Sequence, residues 1–156
     1  MRIIGVLLIL CSSVFIAHGA VLENQRALRT TTALRTVMEQ VKNLIECYSL
    51  PIGGILKKID PSVIEACGYK GEALPTDLSE LAENSVVPDK ESLEIFFAFA
   101  KDFGKGYRKD ELSRCSMFLE RMRSREQKLS KETEKKKRVI TAVSICGALA
   151  VVILLI

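Results

Sequence analysis

Histidine and tryptophan are nearly missing from this chain of 156 residues, which contains one His and no Trp. The single histidine, His18, lies within an uncharged stretch near the N-terminus. A Ser-His or Cys-His nucleophile pair cannot be built from the rest of the chain, because the histidine base is lacking. A metal site or a pH switch that depends on histidine is excluded for the same reason.

Catalytic motifs are missing as well. The chain has no G-x-x-x-x-G-K-[ST] phosphate loop, because Lys105 is followed by Gly106 and not by a hydroxyl residue. It also has no G-x-S-x-G nucleophile elbow and no H-E-x-x-H zinc motif. Several acidic residues lie among Arg and Lys on faces expected to be solvated, where ion pairing is usual: Glu120, Glu126 and Glu132. These absences predict a protein that is not an enzyme and takes no cofactor, metal or small-molecule substrate.

Strand-like alternation and hairpin turn signals are also lacking, whereas apolar residues recur with helical spacing in three segments. The segments are Leu34, Val37, Met38, Val41, Leu44, Ile45 and Tyr48; Leu93, Phe96, Phe97, Ala100 and Phe103; and Leu112, Cys115, Phe118, Leu119 and Met122. The fold class predicted is all-α, a small bundle of about five to six helices. The β-branched run at residues 30–32 is a weak point of the first helix.

Aspartates mark the predicted helix starts, because an Asp side chain accepts hydrogen bonds from the first free backbone amides. The candidate N-caps are Asp60, Asp77, Asp89 and Asp110. The helix after Asp77 is expected to run for about three turns towards Val86. Gly104 is expected to end the helix that carries the phenylalanines.

Two uncharged stretches, residues 3–22 and 139–156, predict transmembrane helices. Twenty helical residues span about the ~30 Å thickness of a bilayer core, and eighteen nearly do so. A cleaved signal peptide is the alternative for the first stretch, because residues 17–19 include small residues at about the spacing of a cleavage site. The length of the stretch and its single preceding basic side chain, Arg2, favour an uncleaved anchor.

Positive charge is concentrated before the second stretch, where residues 123–138 hold eight basic and three acidic side chains. Four of the basic residues adjoin the predicted membrane border: Lys135, Lys136, Lys137 and Arg138. This arrangement predicts that the region between the spans is cytoplasmic and that the border attracts anionic lipid. No basic patch with interleaved aromatics occurs elsewhere, so nucleic-acid binding is disfavoured. The predicted divisions are a span (1–22), a cytoplasmic bundle (23–122), a basic helical stalk (123–138) and a span (139–156).

Cysteines outside the predicted spans do not indicate disulfides. They are three in number, widely separated and free of any C-x-x-C pairing: Cys47, Cys67 and Cys115. The pattern is typical of buried, reduced thiols, in agreement with a cytoplasmic location.

Two groups of residues resemble the stage III sporulation protein AB family of endospore-forming bacteria. The first group is Leu34, Arg35, Glu46, Tyr48 and Pro51, and the second is Phe103, Gly104, Gly106 and Asp110. The length and the layout of two spans around a helical region are similar as well. The motifs are short, and the resemblance covers the whole chain in layout.

The resemblance implies a role that the residues alone do not. The family is similar to the helical domains of the GspF/PilC type, which are membrane platforms of type II secretion and type IV pilus machines. It implies a place in the complex that links mother cell and forespore, in the mother-cell membrane facing the forespore. The implied partners are other stage III sporulation channel proteins, among them the AA ATPase.

Two functions therefore remain open at the level of sequence. The first is a non-catalytic platform in a secretion-like sporulation channel. The alternative is a membrane-tethered adaptor or regulator unrelated to secretion, which would engage its partner through the phenylalanine-rich helix or the basic stalk.

Overall fold

The computed structural model describes residues 2–47 and 55–155, so the predicted motif residues Tyr48 and Pro51 lie outside the described residues. Within the described ranges there are five α-helices, a short 3₁₀ helix and no strand. They are α1 (Arg2–Cys47), the 3₁₀ helix (Leu56–Lys58), α2 (Pro61–Ala66), α3 (Leu78–Glu83), α4 (Lys90–Asp102) and α5 (Arg108–Leu155). The all-α prediction is confirmed.

Helices α1 and α5 form a long antiparallel hairpin. Lys136 of α5 contacts Asn24 of α1, whereas Arg123 contacts Glu39 and the first residue of α5 reaches the last turn of α1. The short helices α2, α3 and α4 are inserted between the two long helices and pack at the end of the hairpin where α1 finishes. Helix α1 runs without a break from the first uncharged stretch through the first apolar stripe.

Among the described residues, no helical stretch is both long enough and apolar enough to cross a membrane. The two transmembrane segments therefore stay predictions.

The core of the bundle lies between α1, α4 and α5, and the 3₁₀ helix, α2 and α3 add buried side chains to it. The predicted apolar stripes of α1 and α5 are confirmed at the positions that are fully or almost fully buried: Leu34, Val37, Met38, Val41, Cys115, Phe118, Leu119 and Met122. On α4 the predicted stripe is wrong in part, because Phe97 is 41% exposed and Leu93 is only half-buried. The rings of Phe99 and Phe118 pack edge to face, with their centroids 5.9 Å apart. This contact orients α4 so that Ile95 and Phe99, and not Leu93 and Phe97, face the core.

Three of the four predicted N-caps are confirmed by hydrogen bonds of 2.8–2.9 Å to backbone amides of the first turn. They are Asp60, Asp77 and Asp89. The prediction for Asp110 is wrong, because α5 begins at Arg108 and Asp110 lies within its first turn. A carboxylate there still favours the helix electrostatically, because the N-terminal end carries partial positive charge.

Helix α3 is shorter than predicted because the chain after it pairs with the turn that follows α2. The helix ends at Glu83, Ser85 forms an isolated bridge with Tyr69, and the Val86 amide donates to the Gly68 carbonyl at 2.9 Å. Gly68 has φ +80°, and a Cβ placed there would lie 2.6 Å from the Val86 carbonyl oxygen. A side chain at this position would therefore push two backbone segments apart.

Alanine substitutions at Gly68, Gly104 and Gly106 should lower the free energy of unfolding by different amounts. Gly104→Ala should cost about 1 kcal/mol because its φ of +82° disfavours any side chain. Gly68→Ala should cost more, because it adds a clash with backbone to the same strain. Denaturant unfolding of the full chain in detergent measures this order.

Gly106→Ala is the matched control for that series. Gly106 does not have positive φ, and an added Cβ would meet mainly the far end of the flexible Arg114 side chain. Its loss of stability should be the smallest of the three. Equal losses for all three variants would contradict the assigned turn geometry.

Candidate interaction surface

The end of the hairpin where α1 finishes brings together several of the residues singled out from the sequence. We call Glu46 together with residues 103–110 the distal tip. The Arg108 guanidinium donates a hydrogen bond to the Glu46 backbone carbonyl and so joins the start of α5 to the end of α1. Thirty residues of helix separate Arg108 from Arg138, which places the tip about 45 Å from the cluster of basic residues 135–138, called here the basic border.

The turn within the distal tip is held by a carboxylate. Glu111, which is buried, accepts hydrogen bonds from the Lys105 amide at 2.9 Å and the Gly106 amide at 3.3 Å. Arg114 lies 3.3 Å from the same carboxylate oxygen. These two amides are therefore already occupied and do not form a free anion site.

The outer side of the tip is aromatic and cationic. Tyr107 is 85% exposed, and the exposed side chains beside it in sequence are Lys105, Arg108 and Lys109. Phe103 is half-buried and packs against Phe99 with ring centroids 5.7 Å apart, which ties the tip to the core. An exposed Tyr next to Arg on a firmly held turn is a common composition of protein-binding surfaces.

The distal tip itself has only a small cleft beside it. A cleft of about 160 Å³ beside Phe103 is smaller than ordinary ligand pockets, which measure about 300–1,000 Å³. Over the described ranges, no group of three or more His, Cys, Asp or Glu side chains is arranged to hold a metal ion.

Leu34 and Arg35 lie far from the tip, in the middle of α1. Leu34 is fully buried in the core. Arg35 donates from Nε to Glu126 at 2.8 Å and from Nη1 to Glu39 at 2.7 Å, and Glu39 also accepts from Arg123 at 2.8 Å. The expectation of a solvated face for Glu126 is wrong, because its side chain is partly buried between α1 and α5. This part of the motif joins two helices.

The residue before Glu126 anchors the third helix of the core. Arg125 forms two hydrogen bonds to the Asp89 carboxylate, 3.0 Å from Nε and 2.6 Å from Nη2. Asp89 also caps α4 and accepts from the Ser92 hydroxyl at 2.6 Å, and that hydroxyl lies 2.8 Å from the Thr31 hydroxyl of α1. One polar network thus links α1, α4 and α5.

Hydrogen bonds from the Arg125 guanidinium lower the pKa of Asp89 to about 2, against the opposing effect of burial. The ionised carboxylate is therefore the form that the folded protein favours.

The basic border lies towards the other end of the hairpin. Lys135, Lys136, Lys137 and Arg138 are all exposed on α5. Lys136 donates to the Asn24 side-chain oxygen at 3.1 Å, so α1 accompanies α5 to this level. The stalk expected from residues 123–138 is consequently one half of a two-helix stalk.

The cysteine prediction holds for two thiols and is wrong for the third. Cys67 and Cys115 are buried, and burial raises the pKa of their thiols to about 12 and about 11. Cys47, at the end of α1, is exposed. No disulfide joins the four cysteines whose state the structure describes.

Comparison with protein families identifies the chain. A family model described as stage III sporulation protein AB matches residues 2–156. The chain belongs to this family. No curated protein and no solved structure matches it. Membership of this family makes the chain a stage III sporulation protein. The description of the family names no reaction.

In this stage III sporulation protein AB, the residues that organise the site include several that sequence reasoning missed. Asp89 was predicted only as a cap, whereas its partner Arg125, and Glu111 and Arg108 at the tip, were not predicted. The single sequence signal that pointed to any of these residues was the acidic pair at residues 110–111, which lies in the first turn of α5. A pattern along one helix cannot reveal which distant helix a charged side chain will meet.

Asp89→Asn should destabilise the bundle by about 2 kcal/mol at neutral pH, because it weakens a charged hydrogen-bonded pair and a cap. The depressed pKa of Asp89 makes the wild-type contribution fully present above the unfolded value near 3.8 and lost as pH falls towards about 2. Unfolding followed by circular dichroism at pH 7 and across pH 4 to 2 measures both effects.

The loss of stability caused by Asp89→Asn should become smaller as the pH falls from 4 to 2. Asp102→Asn is the control, since Asp102 is exposed and its nearest cation, Lys105, lies 4.0 Å away. A pH-independent difference between wild type and Asp89→Asn would contradict the assigned ion pair.

Proposed function

We propose that this stage III sporulation protein AB is a non-catalytic membrane platform of a secretion-like channel between mother cell and forespore. Its helical bundle would stand in the mother-cell cytoplasm and engage protein partners, among them the AA ATPase of the same complex. The family membership supports the sporulation role. The single observation that best supports the platform role is the long hairpin, which carries a distal tip at one end and both uncharged stretches at the other.

The proposed anchoring follows from the direction of the helices. Because α1 and α5 are antiparallel, residues 3–22 and 139–156 belong to the same end of the hairpin. Two spans at one end would pin the bundle against tilting and rotation more strongly than one. The exposed cluster at residues 135–138 would then lie at the lipid headgroups, where each nearby Lys or Arg contributes about 1 kcal/mol of attraction to anionic lipid.

The proposed partner surface is the distal tip. It would be the part of the bundle farthest from the bilayer, within reach of a cytoplasmic ATPase. Its exposed Tyr107 can enter a pocket of a partner, and the neighbouring cations can pair with acidic side chains around that pocket. The likeness of the family to GspF/PilC platforms, which belong to machines of related type, supports an ATPase as that partner.

Native Cys47 provides a direct test of the membrane topology. It is exposed at the end of α1, whereas Cys67 and Cys115 are buried. In a chain carrying Cys11→Ala and Cys146→Ala, a membrane-impermeant maleimide should label Cys47 only after protoplasts are permeabilised. A further Cys47→Ser change should abolish the label. Full labelling of intact protoplasts would place the bundle outside the cytoplasm and refute the proposal.

The tip is tested by co-purification from sporulating cells. Tyr107→Ala combined with Lys109→Glu should reduce recovery of the AA ATPase by about tenfold or more, since hot-spot aromatics often contribute over 1 kcal/mol. The melting temperature should stay unchanged because both side chains are exposed. Leu74→Ala, at a side chain 55% exposed elsewhere, is the matched control and should leave recovery unchanged. Undiminished recovery with the tip variant would assign the partner surface elsewhere.

A further inference from the structure

A groove runs between α4 and α5 on the outer side of the bundle. It has a volume of about 310 Å³, and its apolar floor includes Ile95 and Ala98. One rim belongs to α4 and is acidic, with Glu91 and Glu94. The other rim belongs to α5 and is mainly basic, with Arg121, Ser124, Arg125 and Lys128. We call this feature the α4/α5 groove.

The two rims do not neutralise each other fully. Glu91 pairs with Arg125 at 3.0 Å. Among the residues that the structure describes, however, Glu94 and Lys128 form no ion pair, and Arg121 only lies over the Phe118 ring, 6.0 Å from its centroid. Within the described part of the chain, the groove therefore presents one acidic side chain without an ion pair, Glu94, on the α4 rim and two cations without an ion pair, Arg121 and Lys128, on the α5 rim.

Residues of the two rims lie at corresponding levels along the axis of the hairpin. Helices α4 and α5 run antiparallel, with Asp89 opposite Arg125 and Phe99 opposite Phe118. This register puts Glu94 at the level of Arg121. Ala98 lies at about the level of Leu119, and Met117, which is 51% exposed, continues the α5 rim beyond that level.

These features make the groove complementary to itself under one symmetry operation. A two-fold axis parallel to the hairpin turns a second copy to face the first and keeps every residue at its height. The α4 rim of each copy then faces the α5 rim of the other, so Glu94 meets Arg121. A two-fold interface of this kind uses the same patch on both copies.

We propose that the α4/α5 groove is a self-association surface whose occupant is the groove of a second copy of this chain. The inference rests on the proposed function in one respect. Two copies anchored in the same membrane share one direction, which permits a two-fold axis along the hairpin and excludes an antiparallel arrangement. Such an axis would also leave both distal tips pointing away from the membrane and free for partners.

Charge reversal in trans tests the proposal with the full chain in detergent. Glu94→Lys puts a cation opposite Arg121 of the second copy, and Arg121→Glu puts a carboxylate opposite Glu94 of the second copy. Each variant alone should dimerise about tenfold or more weakly than wild type, because like charges would face each other. An equimolar mixture of the two, carrying different tags, should regain dimerisation to near the wild-type level as a mixed pair. Sedimentation equilibrium and two-tag capture measure this.

Controls separate the interface from the fold. Glu83→Lys and Lys70→Glu reverse exposed charges away from the groove and should leave the dimer unchanged. Thermal unfolding should show that all four variants keep the bundle folded, and a variant that does not is replaced by Glu94→Gln or Arg121→Gln, which should weaken the dimer less.

Three results would overturn the proposal: a wild-type chain that stays monomeric at every concentration, single variants that dimerise like wild type, or a mixture that does not recover. A monomeric chain whose groove binds a different sporulation protein would assign another occupant and would overturn it as well. Failure here leaves the Cys47 labelling and the ATPase recovery unaffected, so the outcome is distinguishable from failure of the proposed function.

Discussion

Two consecutive residues of α5, Arg125 and Glu126, connect α5 to both of the other main helices of the core, α4 and α1. Successive residues of an α-helix project about 100° apart, so neighbours in sequence can face different partners. Arg125 binds the cap of α4, and Glu126 binds Arg35 and Thr32 of α1. Because both carboxylate pairs are largely removed from solvent, loss of either partner would leave a charge without its hydrogen bonds, which is costly. The apolar core therefore packs in one arrangement, with α4 fixed against both long helices.

This junction also determines what the long helices can do. With α1 and α5 tied together from Asn24 and Lys136 to the distal tip, the hairpin behaves as a two-helix rod, stiffer than a single helix. A rod of this kind would hold the proposed partner-binding tip at a constant distance from the proposed membrane anchors. The polar connections, with Glu111 closing the turn at the tip, stabilise this scaffold. The proposed platform role and the proposed pairing through the α4/α5 groove both require such rigidity.

Sequence patterns predicted the elements better than the site. Most positions of the apolar stripes of α1 and α5 and the caps at Asp60, Asp77 and Asp89 depend on interactions within a few residues, and these were predicted correctly. The threonine run at residues 30–32 was interpreted as a weak point. In the structure its hydroxyls accept or donate hydrogen bonds within α1 and towards Ser92 and Glu126. Partners 61 and 94 residues away along the chain cannot be read from a local pattern.

The sequence by itself determined the helical class, the position of most helix starts, the concentration of positive charge before the second uncharged stretch, and the family. These properties follow from backbone propensity, periodicity and composition, which act locally. Only the tertiary structure decided that Glu46 joins Arg108, that Glu126 is partly buried, that Phe97 faces outward, and that acidic and basic rims share one groove. The reason is geometric: which side chains meet across helices depends on the rotation and register with which α4 and α5 pack, and those are set by the whole core at once.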